Sequence, residues 1–514
     1  MFKTFTILFS LITFQSLAQV VLEANNTRAT FYGEGSLFLD STNFGTGYEF
    51  PKDSSTSVIY SAGIWVAALD QDSSLHAAIS LFSSDWSKGP ISDDYNSSYY
   101  ISTFTQPFKI TRDQVNYHVA NYTAAGYIPD PAIANWPGNG NTSEGVAAQL
   151  APYVDVNNDQ IYDPMDGDHP YFQGDEAVLI IFNDEANPHL ASGGEKIGVE
   201  MHLLFYQFQD ADQDVNNTTF LNAKLFNRRD TNYIAIHFGF WTDFDIGLAQ
   251  NDFVGSDSLR SMVYGYNGTS SEGGPGTFAS NPPACGIKFL NHQANGALYH
   301  NIGGGTTGDP NNAGDYYNYL NNKWQNGQPT MYGGNGFNTS TGGPTNWMFG
   351  SMPNDTTGWS EVTEMNPVGD RRMLLSSSEQ VFNAGDEICF DMALLVNNEA
   401  NDYIGNAVAL YGTADNIQSF YDNSIQQCSQ IFLSNEKYED LDVKVYPNPN
   451  QGIFTIQSSE IFDYVIYNLK GQIIQQGKNM VQNTLINLDI ESGIYILQVT
   501  SGNKVKQHKI QIIK

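Results

Sequence analysis

Cysteine is scarce: Cys285, Cys389 and Cys428 are the only three in 514 residues. An odd count allows one disulfide with one thiol left over, and it excludes a disulfide scaffold. No C-x-x-C pair occurs, which argues against a structural thiolate zinc site. Charge is scarce too, at 15% of residues, and it is lopsided. Lys and Arg number 23 against 55 Asp and Glu, a net charge of −32. Nucleic-acid backbones and anionic lipids repel such a chain, so neither is expected as a partner. No run reaches the ~18 consecutive apolar residues of a membrane-spanning helix. Catalytic signatures are missing as well. Without H-E-x-x-H, G-x-S-x-G or G-x-x-x-x-G-K-[ST], the sequence supports neither a zincin, nor an α/β-hydrolase elbow, nor a P-loop.

What is present points outward from the cell. Lys3 supplies a positive start, Phe5 to Phe14 is mostly apolar, and Ser16-Leu17-Ala18 offers small residues at a cleavage site. This is the layout of a secretory signal peptide over residues 1–18, cut after Ala18. No cysteine follows the cut, so no lipoprotein anchor is encoded there. Apolar residues make up 41% and aromatics 13%, enough for a large core. Polarity comes mainly from Asn, Ser, Thr, Gln and Gly.

The clearest boundary is the polar, acidic stretch 433–442, read as a linker. From position 442 onward seven Lys face five acidic residues, so the tail is net +2 and the rest carries −34. The tail, 443–514, reads as short strands: Val443 and Val445, Phe454 and Ile456, Val465 and Tyr467, Ile494 and Ile496. Pro447, Pro449, Gly452, Gly471, Gly477, Gly493 and Gly502 punctuate them. A small antiparallel, Ig-like β-sandwich is expected.

Three motifs in order, Tyr446-Pro-Asn-Pro-Asn-Gln-Gly452, Tyr467-Asn-Leu-Lys-Gly471 and Gly493-Ile-Tyr-Ile-Leu-Gln-Val499, precede a closing strand from Val505 to Ile513. This tail resembles the type A C-terminal sorting domain of the type IX secretion system of Bacteroidota. The resemblance implies export across the inner membrane, recognition of the folded tail by the type IX machinery, passage through the outer membrane, and removal of the tail by the system's sortase. The product is then attached to the outer-membrane surface or released.

Residues 19–432 show no internal repeat and read as β-rich, in one domain or two. Ile234, Ile236, Phe238 and Phe240 alternate, as do Ile388, Phe390, Met392, Leu394 and Val396. Residues 177–182 form a short apolar run suited to a buried strand. Ile404, Val408, Tyr411, Ile417 and Tyr421 fall near a helical period between Asn401 and Asn423. Residues 264–345 hold 18 Gly in 82 positions with interleaved aromatics, which predicts packed loops rather than a linker. The expected fold is mostly β, a large sandwich-like region with long loops plus the small tail sandwich. Segments Ser61–Trp65, Trp136–Gly140, Asp155–Asp168, Gly239–Asp245, Asp252–Gly255 and Tyr332–Gly336 also resemble an uncharacterised group of secreted Bacteroidota proteins with this tail. That likeness implies no activity.

The sharpest chemical signal is the stretch Asp155–Asp166. Asp155, Asn157, Asp159, Asp163 and Asp166 occupy positions 1, 3, 5, 9 and 12 of an EF-hand or dockerin-type loop, with the Ile161 carbonyl at position 7. Calcium takes six to eight oxygens, whereas four Asp this close repel without a cation. Gln160 replaces the usual Gly, Asp166 replaces the usual Glu, and Pro164 with Gly167 argues against a flanking helix. An isolated structural calcium loop follows, with Asp168 as an extra ligand; an Asx-turn cluster is the alternative. Asp243, Asp245, Asp252 and Asp257 form a second candidate metal set, or an acid pair for glycoside hydrolysis. Asp210, Asp212 and Asp214 read as a solvated run. His237 and Cys285 read as core residues without catalytic partners. Trp324 and Tyr332 are candidates for stacking on a glycan, or else core residues. Two roles remain in view. One is a non-enzymatic, calcium-stabilised surface protein that binds glycan or matrix. The other is a secreted polysaccharide hydrolase using Asp243 or Asp245.

Overall fold

The apolar run at 177–182 lies in the strand Glu176–Asn183, all of whose side chains are buried. Two cores flank it. Val178, Ile180 and Phe182 enter one, while Ala177, Leu179 and Ile181 enter the other. A strand with two apolar faces reads as a continuous run rather than an alternation. The strand Glu387–Asn397 behaves alike: Ile388, Phe390, Met392, Leu394 and Val396 face the first core, and Ala393 and Leu395 the second. This computed structural model describes residues 19–33, 35–40, 45–300, 303–400, 402–430, 441, 443–481, 483–501 and 504–514. The expected signal peptide lies outside the described residues, as does the linker apart from Leu441.

A nine-stranded antiparallel sheet runs in the order Phe108–Thr111, Glu176–Asn183, Val199–Gln207, Thr218–Asn227, Glu387–Asn397, Ala284–Phe289, Met262–Asn267, Asp252–Asp257, with Ser87–Lys88 paired beside Glu176–Asn183. A six-stranded antiparallel sheet runs Ala294–His300, Arg371–Ser377, Tyr233–Phe244, Ser61–Asp70, Leu75–Ile79, with Gln380–Phe382 also paired to Tyr233–Phe244. The first core joins the two sheets; Phe238 of the second stacks on Phe390 of the first at 4.4 Å between ring centroids. The second core covers the other face of the large sheet. The helix Tyr403–Ser424 lies there and buries Ala407, Leu410, Tyr411, Ala414, Ile417 and Tyr421. Its predicted span holds to within a residue or two at each end. Asp402 caps it by accepting the Gly405 N–H.

Cys389 and Cys428 form a disulfide that ties the large sheet to the segment after this helix, and Cys285 is the buried free thiol. The glycine-rich stretch packs as expected. Its helix Ala313–Leu320 puts Tyr316, Tyr319 and Leu320 into the first core, where Trp324 joins them. No helix among the described residues is long and apolar enough to cross a membrane.

The tail is a two-sheet antiparallel sandwich. Val443–Tyr446, Ile453–Ser458 and Thr484–Asn487 face Ile473–Met480, Phe462–Tyr467, Gly493–Ser501 and Lys504–Ile512. The runs around Val465 and Ile494 are strands, as expected; Tyr464 and Ile466 of the first and Tyr495, Leu497 and Val499 of the second enter the tail core. Leu441, assigned to the linker, is also buried in that core.

Candidate metal centres

The acidic loop 155–168 closes a short hairpin. Tyr153–Val154 pairs with His169–Pro170, so the flanks are short strands, and no flanking helix follows, in line with Pro164 and Gly167. Backbone amides organise the loop around its carboxylates. Asp155 accepts the Asp159 and Gln160 N–H groups at 3.2 and 2.8 Å. Asp159 accepts the Ile161 N–H at 2.8 Å. Gln160, at the position where glycine is usual, adopts φ 68°, so the chain makes the left-handed turn without glycine. Tyr162 anchors the loop by donating its hydroxyl to the Ile133 carbonyl at 2.6 Å, and Asn139 donates to the Gln160 carbonyl at 3.2 Å.

Asp155, Asp159 and Asp168 each bring one carboxylate oxygen within 4.8 Å of the others. Asp168 is fully buried; burial raises its pKa, while the Asp163 and Val156 amides work against the rise. Asn157 and Asp166 sit on the rim, joined by a hydrogen bond of 3.2 Å from the Asn157 amide. One expected position differs. Asp163 turns away and caps the 3-10 turn Pro164–Asp166, accepting the Met165 N–H at 2.8 Å. Ile161, expected to offer its carbonyl, has its N–H committed to Asp159, which leaves that carbonyl's role open to test. Asp168 takes the place in the cluster that the spacing gave to Asp163. As a hard, all-oxygen donor set, the three carboxylates suit calcium.

The second acidic set divides. Strand pairing in the six-stranded sheet lines up His300, Arg372, Asp243 and Ser61 as directly opposite neighbours on one face. Asp243 and Asp245 meet Asp370, one oxygen from each lying within 4.8 Å of the others. Arg372 is the cation in their midst, with Nε 3.4 Å from Asp243 and 3.8 Å from Asp370; its Nη1 donates to Asp309 at 3.0 Å. Burial drives the Asp243 carboxyl well above the usual range, against the pull of Arg372. Burial, with Asp370 beside it, pushes Asp245 up to about 7. Asp309 goes the other way: His300 and Arg372 outweigh its burial and lower it to about 2. The Trp241 indole donates to Nε2 of His300 at 3.0 Å, so that nitrogen is the acceptor and Nδ1 faces Asp309 at 3.2 Å.

Asp252 and Asp257, predicted with this set, stand outside it. Asp252 is fully buried and accepts the Ile246 N–H at 3.1 Å. Asp257 pairs with Arg260 at 2.7 Å. Asp370 was missed, because only strand pairing carries it to Asp243. The third acidic run is structural: Asp212 caps the short helix Gln213–Asn216, and Asp214 accepts from Thr413 and Asn416. His237 and Cys285 are buried, as expected. Trp324 is a core residue, 1% exposed, with its indole N–H given to the Gly336 carbonyl, so its ring offers no open face to a sugar. Tyr332 keeps 43% of its surface exposed and rests on Trp359.

Residues 444–514 match the family described as the secretion system C-terminal sorting domain. The chain is thus a substrate of type IX secretion, delivered to the cell surface or the medium. Its tail is the part that the type IX machinery engages. No curated protein matches the chain in sequence. Among solved structures, a polysaccharide lyase is similar over 61% of this chain and 34% of its own, at 8% identity and a TM-score of 0.20. A β-glucuronidase from an uncultured Clostridium species is similar over 59% of this chain and 36% of its own, at 9% identity and a TM-score of 0.12. The chain therefore spans about a third of the length of these two enzymes.

Proposed function

We propose that the exported region is a non-enzymatic extracellular module stabilised by calcium in the hairpin loop 155–168. The observation that supports this reading is the convergence of Asp155, Asp159 and Asp168 on one point, on a loop whose amides hold the carboxylates in place. Calcium there fixes structure rather than acting as a switch, since extracellular calcium modules bind at about 10⁻⁴–10⁻³ M. The surface offered to a glycan or matrix partner is the glycine-rich stretch that carries Tyr332. The hydrolase reading is less favoured: Asp243 is 3% exposed and faces Arg372, a poor position from which to reach a glycosidic oxygen.

Thermal unfolding of the full chain with millimolar calcium and with a chelator tests the reading. Calcium is expected to raise the melting temperature, because a ligand that binds only the native state stabilises it. Asp159→Ala is expected to reduce that rise. Equal melting temperatures with calcium and chelator would overturn the proposal. A reducing-sugar assay alongside a glycan array separates the roles: turnover abolished by Asp245→Asn would restore the hydrolase.

A further inference from the structure

A second constellation lies apart from the hairpin loop, at the end of the six-stranded sheet. Asp243 is the penultimate residue of the strand Tyr233–Phe244, Asp245 follows that strand directly, and Asp370 immediately precedes the strand Arg371–Ser377. One oxygen from each lies within 4.8 Å of the other two. Oxygens on opposite sides of one calcium ion, each at 2.3–2.6 Å from it, are about 4.6–5.2 Å apart, so this spread fits a single coordination shell. Positive charge is short here. Arg372 is shared among Asp243, Asp370 and Asp309, and Asp245 has no cation within ion-pair distance among the described residues.

The polar atoms left over point the same way. Oδ1 of Asp243 and Oδ1 of Asp370 are buried without a hydrogen-bond partner, although both lie within ion-pair distance of Arg372 Nε, at 3.4 and 3.8 Å. An observation independent of the acidic groups comes from Ser61. It is fully buried, its Oγ has no hydrogen-bond partner, and it stands directly opposite Asp243 on the same face. A buried hydroxyl without a partner costs stability unless something meets it. A cation held by the neighbouring carboxylates would meet it.

From this geometry we infer that Asp243, Asp245 and Asp370, with Ser61 beside them, bind one hard divalent cation of the calcium class. Every donor is oxygen, and the nearby imidazole of His300 is engaged by Trp241 and Asp309, which disfavours softer metals. The ion would pin the end of Tyr233–Phe244 to the start of Arg371–Ser377, adjacent strands of one sheet.

Calorimetric titration of the full chain with calcium chloride counts the sites. Two binding events are expected in the unaltered protein. In Asp245→Asn and in Asp370→Asn one event should vanish or weaken by about tenfold or more, since affinity follows the charge of the ligand set. The other event should vanish in Asp159→Ala. Near-ultraviolet circular dichroism confirms that each variant is folded; Asp245 lies on a part-exposed loop, so its variant decides the matter should Asp370→Asn not fold. Unchanged titrations for folded Asp245→Asn overturn the inference. A single event lost only in Asp159→Ala overturns it and leaves the hairpin site standing. A single event lost only in Asp245→Asn does the reverse.

Discussion

Asp391 lies mid-strand in the large sheet with no solvent contact, and its carboxylate accepts from Tyr421, Asn222 and the Cys428 N–H. Burial outweighs these donors and pushes its pKa up from 3.8 to about 6. The folded protein therefore holds this proton more tightly than the unfolded chain does between about pH 4 and pH 6. In that window the stability contributed by Asp391 falls as pH rises, and the cost is fully present above about pH 6. Asp391→Asn does not titrate. Relative to this variant, the unaltered protein is expected to lose roughly 3 kcal/mol between pH 3.5 and pH 7. Denaturant melts of both proteins across that range check this, and parallel pH profiles would refute it. The variant cancels the contribution of the many other acidic groups, which titrate in both proteins.

At the scale of elements, the helix Tyr403–Ser424 and the strand Glu387–Asn397 are locked together by the disulfide Cys389–Cys428, which closes a loop of 39 residues. By loop-closure entropy such a link is worth about 4 kcal/mol. Replacing both cysteines by serine should lower stability by an amount of that order, read as a shift in denaturant midpoint; no shift would show that the helix docks by packing alone. These elements were legible in the sequence because their periodicities are long and unbroken. The tail strands were legible in place, while their inward faces were not. Gly493–Val499 carries apolar residues on both faces, so Ile494 with Ile496 and Tyr495 with Leu497 fit an alternating pattern equally well, and only the opposing sheet decides. The candidate sites divide for a related reason. The hairpin site is local in sequence, and spacing found Asp155 and Asp159. It put Asp163 in the cluster because spacing does not encode which carboxylate turns back to cap Pro164–Asp166. Asp370 reaches Asp243 through strand pairing between distant segments, which no local pattern announces.

Across the whole molecule, charge and core follow the same division. The body carries nearly all the negative charge, while the tail is slightly positive. The tail fills its own core, separate from the two cores of the body. Contacts between them include the Lys470–Asp175 ion pair at 2.8 Å and the Gly174 N–H donated to the Lys470 carbonyl at 2.9 Å. A part-exposed ion pair of this kind contributes about 0–1 kcal/mol. The body's cores therefore close without the tail, and removing the tail should separate folding from export. A chain ended after Gln430 is expected to melt within a few degrees of the body transition in the full chain and to keep its response to calcium. In the native host it should accumulate inside the outer membrane, because the segment read by the type IX machinery is gone. Cell fractionation with thermal melts measures both. A truncated body that melts far lower would make the tail a structural partner of the body, and one that still reached the medium would show that export does not depend on residues 444–514.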